Sequence, residues 1–387
     1  MYLKSLRLQN LLSFGPDAET IDFGALNVII GPNGSGKSNL LEAIGLLAAA
    51  PRSLSDAIRE GGGVWEWLWK GSKGRTAARI EVVVDFHNPT LPTVRYELAF
   101  HHVSLWPQVV DERISNAASD PGAEPVLYFG YINGRPHIRF QGSMHEIAAT
   151  EFITTESILS QRRDPLIYRE MYWVGQFFMD TLLYRDWSFG RHTPPRMPQP
   201  ADLPNHHLLK DAQNLGLILN QIRKDPEAKE ALLKHLGLVY EGVRDVDVSI
   251  EGGTVQVFLQ ENRWVVPATR LSDGTLRWLS LLAILLNPRP QFLVCIEEPE
   301  MGLHPDLLPP LAELLKEASQ RMQLIVTTHS DTLVDALSDT PESVLVCEKL
   351  EGSTTMRRLD KGQLSDWLEK YTLGQLWRRG ELGGNRW

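Results

Sequence analysis

The sequence predicts an α/β protein that has a mostly parallel sheet and a separate antiparallel β lobe, and three patterns support this fold class. Residues 31–38, GPNGSGKS, match the phosphate-binding pattern G-x-x-x-x-G-K-[ST] at every fixed position. The last third of the chain alternates apolar strands with helices, as a mostly parallel sheet requires. Within residues 76–150, apolar and polar positions alternate at 79–86, 94–103, 126–132 and 137–141 between Pro, Gly and Asn turns, which predicts four antiparallel strands.

The segment 31–38 lies between a short apolar strand at 26–30 and an apolar helix at 39–47, the context that a P-loop requires. Glycines let backbone N–H groups curl around phosphate oxygens, and the helix directs its positive dipole end at the anion. We therefore predict an ATP site in which Lys37 reaches the β- and γ-phosphates and the Ser38 hydroxyl ligates Mg²⁺. The other predicted nucleotide contacts are Asn33, Gly34, Ser35, Gly36 and Asn39.

Bulk properties describe an ordinary globular protein. The chain has 387 residues, 43% hydrophobic residues and a net charge of -9, which argues against a surface that binds nucleic acid everywhere. The start of the chain lacks the apolar region of a secretory signal, and the longest apolar run, 278–286, is too short to cross a bilayer. The only cysteines, Cys295 and Cys347, lie in predicted buried strands, so we expect a cytoplasmic protein with no membrane contact.

Element patterns divide the chain into five segments. Trp65, Trp67 and Trp69 occupy alternate positions, which predicts one packed face of a strand. A proline cluster at 193–204 is the best candidate linker. The predicted domains are the N-terminal half of a cassette with the P-loop at 1–75, the β lobe at 76–150, a helical insertion at 151–240, the C-terminal half of the cassette at 241–350, and a tail at 351–387.

The strand predicted at 292–296, FLVCI, ends in carboxylates, as a Walker B strand does. Open α/β sheets bind ligands at the carboxyl ends of their strands. Glu297 stands where an acid helps to hold Mg²⁺, and Glu298 stands where a carboxylate orients the attacking water.

Two further segments complete the pattern. Residues 271–275, LSDGT, precede a helix that Ser272 can cap, so its free N–H groups and its dipole face outward. The strand predicted at 324–328 ends at His329, which we expect beside the γ-phosphate.

These four segments, in this order, resemble the ATP-binding-cassette (ABC) ATPases of the SMC, RecF and OLD-like branch, in which an insertion splits the cassette. Residues 6–14, LRLQNLLSF, and 298–305, EPEMGLHP, resemble that branch too, as does the tail at 373–384. Within the branch the sequence is most similar to prokaryotic predicted ATPases of the AAA_21 type. The resemblance covers nearly the whole chain, and it implies an ABC-type P-loop NTPase head with a split cassette, the antiparallel β lobe and an inserted helical subdomain.

The resemblance further implies a homodimer that sandwiches ATP. Ser272 and Gly274 would complete the partner's site, while Glu298 and His329 act on the γ-phosphate of their own. Gln161 is the candidate for the family's Q-loop glutamine. The sequence departs from the family pattern at Glu297, where an Asp is usual, and at Asp273, where transporter cassettes carry Gly.

Too few residues follow His329 for the TOPRIM nuclease domain of OLD proteins, so we expect no nuclease site in this chain. Three functions remain open. The first is an ATP-switched regulator of a separately encoded effector or nuclease, as in anti-phage defence. The second is a RecF-like DNA clamp in DNA repair. The third is an assembly module that binds ATP without hydrolysing it.

The arginine pairs 162–163, 185 with 191, and 378–379 are candidate phosphate contacts, although such charges usually lie on a solvated face.

Overall fold

A computed structural model describes residues 1–71, 76–88, 90–117 and 124–384. The chain forms two compact units. Unit 1 comprises 1–182 and 345–359 with the segment from Leu382, and unit 2 comprises 183–344 and 360–381. The P-loop belongs to unit 1, whereas the predicted Walker B acids, signature turn and His329 belong to unit 2.

Unit 1 carries two groups of strands and the helices next to them. Its strands are β1 Tyr2–Gln9, β2 Ile21–Asp22, β3 Leu26–Ile30, β4 Ala78–Asp85, β5 Val94–Val103, β6 Trp106–Asn116, β7 Leu127–Ile132, β8 Arg135–Phe140, β9 Ser143–Glu146, β17 Val344–Leu350 and β18 Ser353–Arg358. Its helices are α1 Lys37–Ala49, α2 Leu54–Glu60, α3 Val64–Trp67, α4 Ile158–Gln161 and α5 Arg169–Met179.

An antiparallel sheet in the order β2-β1-β4-β5-β6-β7-β8-β9 confirms the predicted β lobe. The apolar face of this sheet contains fully buried residues such as Tyr96 and Phe100. β6 was not predicted, because polar residues in PQVVDERISN mask its alternation.

The second group of strands in unit 1 places the P-loop. β3 is buried along its whole length and neighbours β17, which pairs antiparallel with β18. α1 follows the loop after β3 and contacts α2 and α5. The predicted strand and helix around residues 31–38 are therefore confirmed.

Unit 2 contains the alternating strands and helices predicted for the last third of the chain. Its strands are β10 Leu182–Tyr184, β11 Gln199–Pro200, β12 Val243–Glu251, β13 Thr254–Glu261, β14 Trp264–Pro267, β15 Leu293–Glu297 and β16 Gln323–Thr327. Its helices are α6 Leu215–Ile222, α7 Pro226–Leu236, α8 Asp273–Leu285, α9 Leu308–Ser319, α10 Asp331–Asp335, α11 Lys361–Leu368 and α12 Leu373–Arg378.

β15 pairs in parallel with β16 and neighbours β10. The register places Glu297 opposite Thr327, so both strands end at the same edge. Helix α8 is buried at nearly every position from Thr275 to Leu285, which fixes the turn before it.

The structure corrects the prediction of a strand around the alternating tryptophans. Trp65 and Trp67 lie in helix α3, where a spacing of two places side chains on nearly opposite sides. Trp67 is buried and its indole N–H donates to the Ile58 carbonyl at 3.1 Å, whereas Trp65 is half exposed.

The proline-rich segment at 193–204 packs within unit 2. It contains a 3-10 turn at Pro194–Arg196 and the strand β11. The Gln199 side chain is buried and accepts the Gly216 N–H at 2.8 Å. Residues 360–381 of the tail also pack within unit 2, where α12 contacts α10. Trp387 lies outside the described residues. Across the described part of the chain, no helix combines the length and the apolar character needed to span a bilayer.

Candidate functional site

The P-loop curls because its glycines adopt conformations that other residues avoid. Gly31, Gly34 and Gly36 have φ values of 152°, 77° and 116°. A Cβ at Gly31 would collide with the Cys347 carbonyl oxygen, and one at Gly36 would collide with the Thr354 hydroxyl. At Gly31 and Gly36 the loop therefore lies closer to β17 and β18 than any residue with a Cβ could.

Lys37 is buried at the start of α1, with 5% of its surface exposed. Its ammonium donates to the carbonyls of Gly31 at 2.7 Å and Pro32 at 3.0 Å. The lysine thus spans the inside of the loop, where a bound phosphate would meet its positive charge.

The loop residues fit the phosphates of a nucleoside triphosphate. Asn33, Gly34 and Ser38 are exposed, Asn39 is half-buried, and a Cβ at Gly34 would meet no atom within 4 Å. Helix α1 begins at Lys37, directly after the loop, and its N-terminus carries the positive end of the helix dipole. Residues 33–39 therefore offer donors to an anion from an accessible surface.

Thr354 supports the loop from β18, and no local sequence pattern indicated this role. Its hydroxyl lies 2.7 Å from the Ser35 carbonyl and 2.7 Å from the Ser13 hydroxyl. A threonine more than 300 residues along the chain thus fixes the back of the P-loop.

Gln161 ends the short helix α4, also in unit 1. Its amide accepts the Ile153 N–H at 2.9 Å and donates to the Ile153 carbonyl at 3.0 Å and the Glu156 carbonyl at 3.2 Å. The side chain therefore braces the segment before α4.

A buried carboxylate, Glu112 of β6, anchors the other end of α4. It accepts from Tyr96 at 2.8 Å, from the Ser157 hydroxyl at 2.5 Å and from the Ile158 N–H at 2.9 Å. Burial raises the pKa of Glu112 to about 7, although these three donors oppose the rise. The sequence did not single out Glu112.

In unit 2, Glu297 ends β15 with its carboxylate bound to Arg185. The Arg185 Nε lies 2.8 Å from Glu297 Oε2, and the Trp187 indole N–H donates to the Glu297 carbonyl at 3.3 Å. Arg185 was considered only as a phosphate contact, so its pairing with a predicted metal ligand is a finding of the structure. The guanidinium holds one oxygen of the acid and compensates its charge.

Glu298 has a left-handed backbone with φ of 47°, an unfavourable conformation for a residue with a Cβ. The strain is greater because Pro299 follows, and the residue before a proline favours extended conformations. Outliers of this kind cluster at functional sites, where the surrounding structure enforces them.

Arg277 of α8 enforces the strained turn. Its guanidinium donates to the Glu298 carbonyl at 2.8 Å and to the Pro299 carbonyl at 3.4 Å, and it lies 5.0 Å from the ring centroid of Trp187. Desolvation lowers the pKa of Arg277 to about 10, partly offset by Glu300 and Glu298.

His329 lies beside Glu298, since its Nε2 is 3.4 Å from Glu298 Oε1. Both side chains are about one-third exposed. The structure thus brings together two side chains that the sequence predicted to act on the same phosphate. A carboxylate next to an imidazole can orient a water molecule and exchange a proton with its neighbour.

The signature turn is capped as predicted. The Ser272 hydroxyl accepts the Thr275 N–H at 3.0 Å, and α8 begins at Asp273. A Cβ at Gly274 would lie 3.0 Å from the Gly302 carbonyl, so the turn lies against the loop that follows Glu298. Asp273 pairs with Arg196, whose guanidinium also binds the Leu271 carbonyl. The acid that departs from the transporter pattern is therefore compensated by a cation from the proline-rich segment.

The adjacent arginine pairs proposed as phosphate contacts, 162–163 and 378–379, have partners within the chain. Arg162 lies 3.7 Å from Glu151, and Arg163 donates to the Pro51 carbonyl. Arg378 lies 2.7 Å from Asp331, and Arg379 lies 4.1 Å from the ring centroid of Tyr371.

Comparison with known proteins agrees with this geometry. A family model described as "AAA domain, putative AbiEii toxin, Type IV TA system", named AAA_21, matches residues 26–104 and 185–335. The chain is 48% identical over 71 residues to the DNA replication and repair protein RecF of Magnetococcus marinus, across 18% of this chain and 15% of that protein. It is 35% identical over 86 residues to the chromosome partition protein Smc of Fusobacterium nucleatum, across 22% of this chain and 7% of that protein.

Solved SMC head domains share the fold. One, bound to the C-terminal winged-helix domain of ScpA, aligns over 94% of this chain and 99% of its own, with 15% identity and a TM-score of 0.56. Another, from Pyrococcus furiosus and bound to the C-terminal domain of ScpA, aligns over 95% of this chain and 99% of its own, with 14% identity and a TM-score of 0.56. The predicted SMC/RecF-like fold is therefore confirmed.

Proposed function

Because this chain belongs to the AAA_21 family of SMC/RecF-like P-loop ATPases, we propose that it hydrolyses ATP and uses the cycle to switch a partner protein. The observation that carries the proposal is the Glu298–His329 pair, 3.4 Å apart on a strained turn. A protein that only binds nucleotide has no need to hold a carboxylate in an unfavourable conformation beside an imidazole.

Each residue has a role in the proposal. Lys37 and the N–H groups of residues 33–39 bind the phosphates, and Ser38 with Glu297 would hold Mg²⁺, which supplies charge neutralisation at the phosphates. Glu298 orients and deprotonates the attacking water, while His329 contacts the γ-phosphate. The support is the family, together with the local geometry within each unit.

Arg185 adds one requirement to this scheme. It occupies one oxygen of Glu297, so the acid would serve Mg²⁺ with its other oxygen or through a water molecule. The longer arm of a glutamate, compared with the usual aspartate, leaves room for such an indirect contact.

We also propose that the protein dimerises on ATP. Ser272 and Gly274 would then complete the site of the second copy, and Gln161 would respond to nucleotide in its own. The support is the exposed, capped start of α8 and the fold shared with SMC heads.

A protein effector is the partner we favour. The family description includes a putative toxin of a type IV toxin–antitoxin system, and the SMC heads were solved with ScpA bound. Five of the six candidate arginines, all except Arg191, contact groups within the described part of the chain, and the net charge is -9. We therefore favour a protein partner over DNA, and propose that it is an effector of anti-phage defence in the cytoplasm. A RecF-like role on DNA is the alternative, favoured by the local identity to RecF.

The test measures ATP turnover of the wild type and solution mass of Glu298→Gln by light scattering. Mass is recorded with and without Mg-ATP, and again with short duplex DNA. We expect turnover in the wild type, none in Lys37→Ala, and a dimer of Glu298→Gln that forms on ATP and does not retain DNA at physiological salt.

Other outcomes reject particular parts of the proposal. Undiminished ATP affinity in Lys37→Ala rejects the P-loop assignment. Retention of duplex DNA favours the RecF-like clamp. ATP binding without turnover in the wild type favours an assembly module, and a mass that ATP does not change rejects ATP-driven dimerisation.

A further inference from the structure

Glu300 connects the turn after β15 to the end of β16. One of its oxygens, Oε1, accepts the Thr328 hydroxyl at 2.6 Å and the backbone N–H of His329 at 2.8 Å. Thr328 is fully buried, so Glu300 fixes the side chain of the residue before His329 and the backbone of His329 itself.

The turn that carries Glu300 is itself closed by backbone hydrogen bonds. The Met301 N–H donates to the Glu298 carbonyl at 3.2 Å, and the Leu303 N–H donates to the Glu300 carbonyl at 3.0 Å. Glu298 and Glu300 therefore belong to one rigid turn, and Glu300 extends that rigidity to His329.

The second oxygen of Glu300 is buried and has no hydrogen-bond partner among the residues that the structure describes. Burying a carboxylate is unfavourable unless other groups compensate. The nearby Arg277 guanidinium supplies a compensating charge, since Glu300 is the strongest of the groups that raise the pKa of that arginine. An ionised oxygen is a strong acceptor, which suits a side chain that takes two donors, the Thr328 hydroxyl and the His329 N–H, on a single oxygen.

We propose that Glu300 is a positioning residue that holds His329 against Glu298. This inference rests on the proposed ATPase function, in which the two side chains act on one phosphate. Through its bonds to Thr328 and His329, Glu300 sets the place where the chain leaves β16, and with it the separation of the imidazole from the Glu298 carboxylate. Its loss lowers kcat and leaves ATP binding unchanged, because the P-loop residues are untouched.

The test is a double-mutant cycle of Glu300→Ala and His329→Ala, with kcat, KM and nucleotide affinity measured for each. We expect Glu300→Ala to lower kcat about tenfold or more, as for loss of a charged hydrogen-bond acceptor. It should add nothing in the His329→Ala background. Glu300→Gln should recover most of the activity, since its carbonyl oxygen can accept both donors. Asp306→Asn, an exposed acid nearby, should behave as wild type.

Independent losses in the two single variants, or a loss of nucleotide affinity in Glu300→Ala, would overturn the inference. A readout without turnover separates it from the proposed function. The imidazole NMR resonance of His329, assigned by its disappearance in His329→Ala, should shift in Glu300→Ala and stay close to wild type in Glu300→Gln. An unmoved resonance rejects the positioning role even if the protein hydrolyses ATP. A shifted resonance in a protein that does not hydrolyse ATP keeps the structural tie and rejects the ATPase.

Discussion

The backbone strain at Glu298 predicts an unusual order of stability among its variants. A left-handed conformation costs a residue with a Cβ about 1–2 kcal/mol, and glycine escapes that cost. Glycine in turn loses about 0.5–1 kcal/mol through the greater freedom of the unfolded chain. Glu298→Gly should therefore be more stable than Glu298→Ala, by about 0.5–1 kcal/mol from the difference of these two effects.

The comparison of two variants at one position cancels other contributions. Both lack the carboxylate, so both lose its contact with His329. Both keep the backbone N–H that donates to Thr327 at 3.0 Å and the carbonyl that accepts from Arg277 at 2.8 Å. The remaining difference is the preference of the backbone at φ of 47°.

Glu313, exposed in the interior of α9, is the matched control. There the order should reverse, because glycine is less favourable than alanine in a helix by about 1 kcal/mol. Urea denaturation without nucleotide measures all four variants. If alanine is the more stable replacement at both positions, the backbone at Glu298 is not strained. Strain then no longer supports a functional role for Glu298.

Two further predictions concern unit 1. Gly36→Ala should lose about 2–4 kcal/mol and most nucleotide affinity, since φ of 116° is forbidden to alanine and its Cβ collides with Thr354. Gly34→Ala, which has φ of 77° and no neighbour within 4 Å, should lose only about 1 kcal/mol in the same denaturation assay, and equal losses would contradict the close packing. Glu112 has a folded pKa of about 7, above its ordinary 4.5, so the folded state binds the proton more tightly. The free energy of unfolding should fall by up to about 3 kcal/mol as pH rises from about 4.5 to about 7. Glu112→Gln should remove that dependence over the same pH range, and an unchanged pH profile would exclude Glu112 as its source.

Local sequence patterns were sufficient for the elements whose signals are continuous along the chain. The strand before the P-loop, the helix after it and the strand ending at Glu297 were all predicted, because buried apolar runs and glycine turns are short-range signals. β6 and β18 were missed, since their polar residues give no clear alternation. The tryptophan strand was wrong because a spacing of two suits either a strand face or two opposite sides of a short helix.

The supports of the site could not be predicted from local patterns. Thr354 reaches the P-loop from more than 300 residues away, and Arg185 reaches Glu297 from more than 100. Each is an ordinary polar residue in its own segment, and only the fold supplies its partner. Glu300 lay within the quoted run 298–305, yet its tie to His329 depends on the pairing of β15 with β16.

The C-terminal segment has a practical consequence for anyone who shortens this chain. Helix α12 lies against α10, which begins two residues after His329. The Thr372 hydroxyl binds Asp335, and Arg378 lies 2.7 Å from Asp331, so both ends of α10 are held by the tail. A truncation at 371 that abolished activity would therefore report on a dismantled support of the histidine. It would not identify a partner-binding arm, and a fusion tag at that end calls for the same control.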